Sequence, residues 1–133
     1  MIKYLLVEFI VIMMPVVSIS TRYEPAVLKA YTKNEATMSL SFKNTDAEKT
    51  YWCECEISVK APLSLAHDKD LSIGRSRIGI LQPGSEKEKQ IKLYTSSNNF
   101  PDDYAITVTA YVYDGDGAIA ERIEQNGGIK CEG

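Results

Sequence analysis

The sequence predicts an all-β fold, arranged as a two-sheet antiparallel sandwich of about seven strands. Short runs in which apolar and polar residues alternate recur along the chain from Pro15 onward. Clusters of Gly, Pro, Asn and Asp separate these runs. No long stretch combines helical periodicity with capping residues. This regular spacing of strands and turns is typical of a sandwich.

The first clear strand is predicted over residues 36–43, where the alternation is complete. Side chains two residues apart in a strand point to the same face. Met38, Leu40 and Phe42 are therefore predicted to face the core. The intervening side chains are predicted to face water: Thr37, Ser39, Ser41 and Lys43.

A second alternating run spans residues 51–59. Its apolar set is predicted to face the core and consists of Tyr51, Cys53, Cys55, Ile57 and Val59. Its other set is predicted to face solvent and consists of Trp52, Glu54, Glu56 and Ser58. A tryptophan is thereby predicted on an outer face, beside two carboxylates.

The middle of the chain is richer in turn-forming residues. Residues 62–77 are polar and are predicted to cross between the sheets without forming a strand. Residues 78–81 are predicted to form a short edge strand before the turn at Pro83 and Gly84. Another strand is predicted over residues 86–94.

The strongest predicted strand covers residues 104–113, with Tyr111 and Tyr113 on its outer face. The turn at residues 114–117 and a strand over residues 118–124 complete a hairpin with it. Residues 126–133 are predicted to form a flexible tail. The sandwich is thus assigned to residues 15–125.

Residues 1–14 form an apolar segment that permits three interpretations. Ser18-Ile19-Ser20 follows the apolar run as a signal peptidase site would. Glu8 lies inside the run, where lipid disfavours a carboxylate, and the run is too short for a membrane span. A cleaved signal peptide is thus the first interpretation. The second is an extra strand that covers the sheet or forms a homodimer contact. The third is that the chain starts naturally at Met13 or Met14.

Several segments carry a resemblance to a known family: Asn44, residues 61–65, residues 78–84 and residues 101–108. Together they resemble the immunoglobulin-like modules of microbial, especially archaeal, proteins known as the cell-adhesion-related (CARDB-like) family. Such modules often have glycine where this chain has Asp102. The resemblance implies an immunoglobulin-like sandwich that acts as a binding or spacer module. At the start of its strand, Tyr104 is placed to bond a backbone group as a tyrosine corner.

Composition excludes several function classes. Eighteen acidic and 15 basic residues give a net charge of −3, and no basic stripe suited to nucleic acid is present in the sequence. The single histidine, His67, lies in a polar segment that we interpret as a solvated loop. None of the common hydrolase, metalloprotease or nucleotide-binding motifs occurs. We therefore predict a non-enzyme that needs no cofactor.

The cysteines and the acidic turn are candidate metal ligands. Cys53, Cys55 and Cys131 invite zinc or a disulfide, but buried reduced thiols explain them better. Asp114 and Asp116 offer oxygen ligands for calcium, yet the loop lacks the other ligands and is typical of a hairpin turn. Arg75 and Arg77 are interpreted as solvated loop residues.

The predicted binding site combines two strands. If residues 51–59 and 104–113 are neighbours, as in immunoglobulin-like topology, their outward aromatic side chains share one sheet face. The candidate residues are Trp52, Tyr111 and Tyr113 as anchors, with Glu54 and Glu56 as charged selectors. Residues 1–14 lying over this face are the competing explanation.

These observations predict a non-catalytic protein-binding or scaffold module with a protein partner. The alternative is a secreted or surface-attached adhesion module that binds a glycan or envelope protein, in which the same aromatic rings stack on sugars. The odd number of cysteines favours a reducing compartment and therefore the cytoplasm.

Overall fold

The computed structural model describes residues 15–133 and shows an all-β chain of eight strands. The strands are β1 (Val17–Glu24), β2 (Val27–Lys29), β3 (Asn34–Asn44), β4 (Tyr51–Val59), β5 (Ile73–Leu81), β6 (Glu86–Thr95), β7 (Asp102–Tyr113) and β8 (Ile119–Glu132). The all-β prediction is thereby confirmed, with eight strands where the sequence predicts about seven.

The strands form two sheets. One has the order β1-β3-β6 and the other the order β2-β8-β7-β4-β5. All neighbours pair antiparallel except β2 and β8, which are parallel. In the larger sheet β4 lies between β5 and β7, so the outward side chains of β4 have neighbours on both adjacent strands.

The core consists of the inward side chains of both sheets. Met38, Leu40 and Phe42 on β3 are fully enclosed, as the alternation predicts. The same holds on β4 for the set Tyr51, Cys53, Cys55, Ile57 and Val59, each at most 6% exposed. Side-chain parity therefore decides which residues remain on the outer faces.

Tyr104 forms the predicted corner. It is 1% exposed, and its hydroxyl accepts a hydrogen bond from the backbone N–H of Phe100 at 3.0 Å and donates one to the carbonyl of the same residue. The Phe100 ring packs edge-on against the Tyr104 ring. This arrangement ties the β6–β7 connection to the start of β7.

Asn44 has a comparable structural role at the end of β3. Its buried side-chain amide donates to the carbonyls of Lys49 and Leu81, and its Oδ1 accepts from the N–H of Asp46. The amide thus joins the β3–β4 connection to β5. Because the buried donors and acceptor are paired, this polar group is accommodated inside the fold.

The structure corrects two predicted boundaries. β5 begins at Ile73, within the segment predicted to cross between sheets. The first half of β5 alternates arginine with glycine and serine, so it shows no alternation of apolar and polar residues from which a strand could be predicted. The arginines instead pair across the ladder with glutamates of β4, Arg75 with Glu56 and Arg77 with Glu54.

The flexible tail predicted for residues 126–133 is also wrong, because β8 continues to Glu132. Ile129 and Cys131 are buried at alternate positions, and the end of β8 pairs with β7 on one side and β2 on the other. The strand continues through Gly127 and Gly128 because backbone pairing does not need side chains.

Candidate binding face

The outer face of the larger sheet carries the five predicted site residues. In the β4–β7 register Trp52 lies opposite Tyr113, and Glu54 lies opposite Tyr111. Glu56 follows Glu54 on the same face, opposite Thr109. All five site residues are half-buried, whereas their neighbours in β4 and β7 are enclosed. The predicted adjacency and outward orientation are therefore confirmed.

Trp52 and Tyr113 are in direct contact. Their ring centroids are 4.9 Å apart and the planes are tilted by 50°. Such offset aromatic pairs gain about 0.5–1.5 kcal/mol beyond the burial of their area. The contact orders two large, half-buried rings at one end of the face.

Two isoleucines extend this aromatic pair across the sheet. Ile80 on β5 lies opposite Trp52 and is 53% exposed. Ile119 on β8 lies opposite Tyr113 and is 60% exposed. We call Ile80, Trp52, Tyr113 and Ile119 the apolar row. It spans four neighbouring strands, which at a spacing of about 4.8 Å makes it roughly 14 Å long.

The sequence did not reveal these isoleucines as site residues. Irregularities interrupt the β4–β5 register between Cys53 and Glu54 and the β7–β8 register between Val112 and Tyr113. Each shifts the pairing by one residue, so counting from the turns does not place either isoleucine. The signal that the sequence does offer is an aliphatic residue close to a turn, since Ile80 precedes Pro83-Gly84 and Ile119 follows Gly117.

A charged zone lies beside the apolar row. The Tyr113 hydroxyl donates a hydrogen bond of 2.8 Å to Glu54 Oε1. This bond to the carboxylate, followed by burial, raises the pKa of Tyr113, so the phenol stays protonated at neutral pH. Glu54 is therefore held against the tyrosine and contributes an acceptor at the edge of the row.

Glu56 and Tyr111 contact an arginine from β5. Arg75 Nε lies 3.4 Å from Glu56 Oε1, and the Arg75 guanidinium lies 5.8 Å from the centre of the Tyr111 ring. The interpretation of Arg75 and Arg77 as loop residues is wrong, because both are exposed on strand β5. Arg122 on β8 lies opposite Tyr111, so a third arginine borders this zone on the side away from β5.

The other sequence candidates lie outside this face. Asp114 Oδ1 accepts hydrogen bonds from the N–H groups of Asp116 and Ala118, at 2.9 and 3.1 Å. That carboxylate closes the β7–β8 turn, which has Gly117 at a positive φ of 80°. Within residues 15–133 no group of three metal-ligating side chains comes together, at this turn or elsewhere.

All three cysteines are free and buried. Burial raises the pKa of Cys53 and of Cys55 to about 11. The parity that turns Trp52 outward thus turns its cysteine neighbour into the core. The arrangement accounts for these thiols as core packing groups.

We predict that Cys53 and Cys55 resist alkylation in the native protein. At about pH 8 a pKa of about 11 leaves roughly 100-fold less thiolate than the ordinary pKa of 9, and enclosure further limits access. Thiol titration with a chromogenic disulfide should be slow in buffer and complete in denaturant. Fast reaction of Cys53 or Cys55 in buffer would contradict its placement in the core.

The interpretations of residues 1–14 lie outside the described residues. The first described residues lie beside the inner side of β8, since the Val16 N–H donates to Glu121 Oε1 at 3.1 Å and Glu121 pairs opposite the enclosed Val112. Across residues 15–133 no helix has the length and apolar character required to cross a bilayer.

Comparison with known proteins shows resemblance at the level of fold. No family model and no curated protein sequence matches this chain. Spo0M, a sporulation control protein from Bacillus subtilis, superposes with a TM-score of 0.52 at 12% identity, over 90% of this chain and 51% of its own. The chain thus spans about half the length of Spo0M.

Two further solved structures are less similar. The alkylpurine DNA glycosylase AlkC of Pseudomonas fluorescens, bound to DNA, has a TM-score of 0.46 at 12% identity, over 89% of this chain and 31% of its own. AvmM, which catalyses macrocyclization in alchivemycin A biosynthesis, has a TM-score of 0.49 at 11% identity, over 90% of this chain and 91% of its own.

Proposed function

We propose that this chain is a non-catalytic protein-binding module that uses the outer face of its larger sheet. The observation that carries the proposal is the register that places Trp52 beside Tyr113 on that face, at a centroid distance of 4.9 Å. Aromatic side chains bury large areas at low conformational cost, which is why they dominate interface energetics. In this proposal the module has neither a catalytic residue nor a cofactor.

The surroundings of the rings support a protein partner. Ile80 and Ile119 leave more than half of their surfaces in water at the two ends of the apolar row. Contiguous exposed apolar surface with a polar rim is typical of an interaction site. The row's length of about 14 Å suits one amphipathic helix of about ten residues at 1.5 Å per residue.

The charges beside the row support a partner surface of low net charge. Glu54 and Glu56 lie between Arg75 and Arg77 on β5 and Arg122 on β8. Tyr113 and Arg75 already hold the two carboxylates. A strongly acidic partner would be repelled by the two glutamates, and a strongly basic partner would be repelled by the arginines beside them. Glu54 and Glu56 therefore act as selectors against partner carboxylates placed next to them.

For the finer fold assignment we propose an immunoglobulin-like sandwich related to the CARDB-like modules. Two features support it: the Tyr104 corner and the adjacency of β4 and β7. The parallel β2–β8 pair and the eighth strand are additions that this assignment has to accommodate.

Affinity capture from the source cells with matched baits tests the proposal. The baits are the wild-type chain, a Trp52→Ala/Tyr111→Ala variant, and an Arg22→Ala/Glu88→Ala variant that removes an exposed ion pair on the smaller sheet. We expect one protein to be retained by the wild-type and control baits and lost from the aromatic variant.

Retention of the same proteins by all three baits would contradict the proposal. Retention of a polysaccharide by the wild-type and control baits, with loss from the aromatic variant, would favour the adhesion alternative, in which the same rings stack on sugars. Thermal midpoints of all three baits well above the capture temperature would show that any loss arises from the surface and not from unfolding.

A further inference from the structure

A concave surface lies at the opposite end of the two sheets from the apolar row. It is a cleft of about 770 Å³, walled by the β2–β3 turn, the β4–β5 connection and the segment after β6. Val59 at the cleft end of β4 is roughly 23 Å along the strand from Trp52, at about 3.3 Å per residue. Small-molecule sites have volumes of about 300–1,000 Å³.

One wall of the cleft is held by Ser64. This buried residue exchanges two backbone hydrogen bonds of 2.8 Å with Tyr94 on β6. Its Oγ accepts from the N–H groups of Ala66 and Leu71 and donates to the carbonyl of Lys69. The loop that carries His67 is therefore fastened to β6 before any ligand arrives.

The other two walls are joined by Asn99, which is 3% exposed. Its side-chain amide donates to the carbonyls of Thr32 and Ser96, and its Oδ1 accepts from the N–H of Tyr31 at 2.8 Å. A cleft held by enclosed polar side chains loses little conformational entropy on binding.

The lining combines two rings with mixed charges. The His67 ring packs edge-on against Tyr94 at a centroid distance of 5.4 Å, and His67 Nδ1 lies 3.0 Å from Asp68 Oδ2. The charged side chains of the lining are Glu35, Asp68 and Asp70 against Lys33 and Lys69. With neutral histidine the lining has a formal charge of −1, which disfavours a phosphate or other anion.

An apolar ligand is also disfavoured, because the aliphatic lining consists of Ala61, Pro62 and Ala66. Within the described chain, Lys33, Lys69 and Asp70 make no ion pair. Ammonium donors, carboxylate acceptors and the amide of Asn98 therefore line the same cleft as the two rings. The Asn34 amide is taken up by Lys29, Thr32 and Thr95 and helps to hold the cleft wall.

We propose that this cleft is a binding site for a neutral carbohydrate. Each sugar hydroxyl both donates and accepts, so it requires the mixture of donors and acceptors found here. The C–H faces of a sugar ring pack against aromatic surfaces, which His67 and Tyr94 supply. The site is independent of the aromatic face and would bind its ligand whether or not a protein occupies Trp52.

Nuclear magnetic resonance titration of the ¹⁵N-labelled chain tests this site. The probes are neutral hexasaccharides of glucose, mannose, galactose and N-acetylglucosamine, each at about 10 mM so that a weak site with a dissociation constant near 1 mM is filled. We expect at least one probe to shift the amide signals of residues 64–71 and 94–98.

His67→Ala and Asp70→Asn should each weaken that binding by about tenfold or more, since both side chains are exposed and removable without loss of the core. Arg22→Ala is the matched control and should leave it unchanged. The proposal is overturned if no hexasaccharide shifts these signals, if inorganic phosphate alone does so, or if binding depends on Trp52 instead of His67. None of these outcomes depends on the protein partner of the aromatic face.

Discussion

Gly128→Ala is expected to destabilise the fold by about 1–3 kcal/mol, the usual cost of forcing an extra methyl group into a packed site. A Cβ at this position would lie 2.7 Å from the Tyr104 carbonyl oxygen and 3.3 Å from its carbonyl carbon. Both atoms belong to the backbone of β7, which is paired with β8 at this point. Neither atom can move aside without disturbing the ladder. Urea denaturation measures the loss as a lower midpoint.

Gly127→Ala is the matched control in the adjacent position. The nearest atom to its added Cβ would be Tyr23 Oη at 3.8 Å, an ordinary contact. Its effect on the free energy of unfolding should remain within about 0.5 kcal/mol. If both variants were equally neutral, residues 126–133 would be the flexible tail that the sequence analysis predicts, and β8 would end near Gln125.

The second large effect concerns affinity for the captured protein partner. Trp52→Ala and Tyr113→Ala should each weaken binding by at least about 30-fold, since central aromatic anchors contribute about 2 kcal/mol or more. Each substitution also removes the ring against which the other packs. Double substitution should therefore cost less than the sum of the two single losses. Titration calorimetry with the purified partner gives the required dissociation constants.

Stability measurements separate an interface role from a core role. Phe42 is fully enclosed, so Phe42→Ala should lower the free energy of unfolding by about 3–5 kcal/mol. Trp52→Ala should lower it by about 1 kcal/mol, the contribution of its contact with Tyr113. A loss from Trp52→Ala as large as that from Phe42→Ala, or an unchanged affinity, would refute the interface role.

Side-chain orientation in β4 and β7 was predictable from sequence because period-two alternation is a local property. Cys53 and Cys55 face the core and Trp52 and Glu54 face outward, as their positions in the run indicate. The adjacency of the two strands required an assumed topology, which the structure supplies. These two steps suffice to place the aromatic anchors.

The remaining features depend on pairing between distant segments. β5 is defined by its partner strand and not by hydrophobic alternation, so the sequence pattern places Arg75 in a loop. The apolar row needs two register irregularities that no local pattern encodes. The cleft joins three connections whose approach is fixed by the enclosed side chains of Ser64 and Asn99. Such contacts emerge only after the chain has folded.

Hydroxyl-radical footprinting of the free chain and of its complex with the captured partner tests the aromatic face most directly. We expect Trp52 and Tyr113 to be oxidised in the free protein and protected in the complex. Phe100 is half exposed at the other end of the two sheets and should be oxidised equally in both. Rings unlabelled in the free chain, or labelled to the same extent in the complex, would contradict the account.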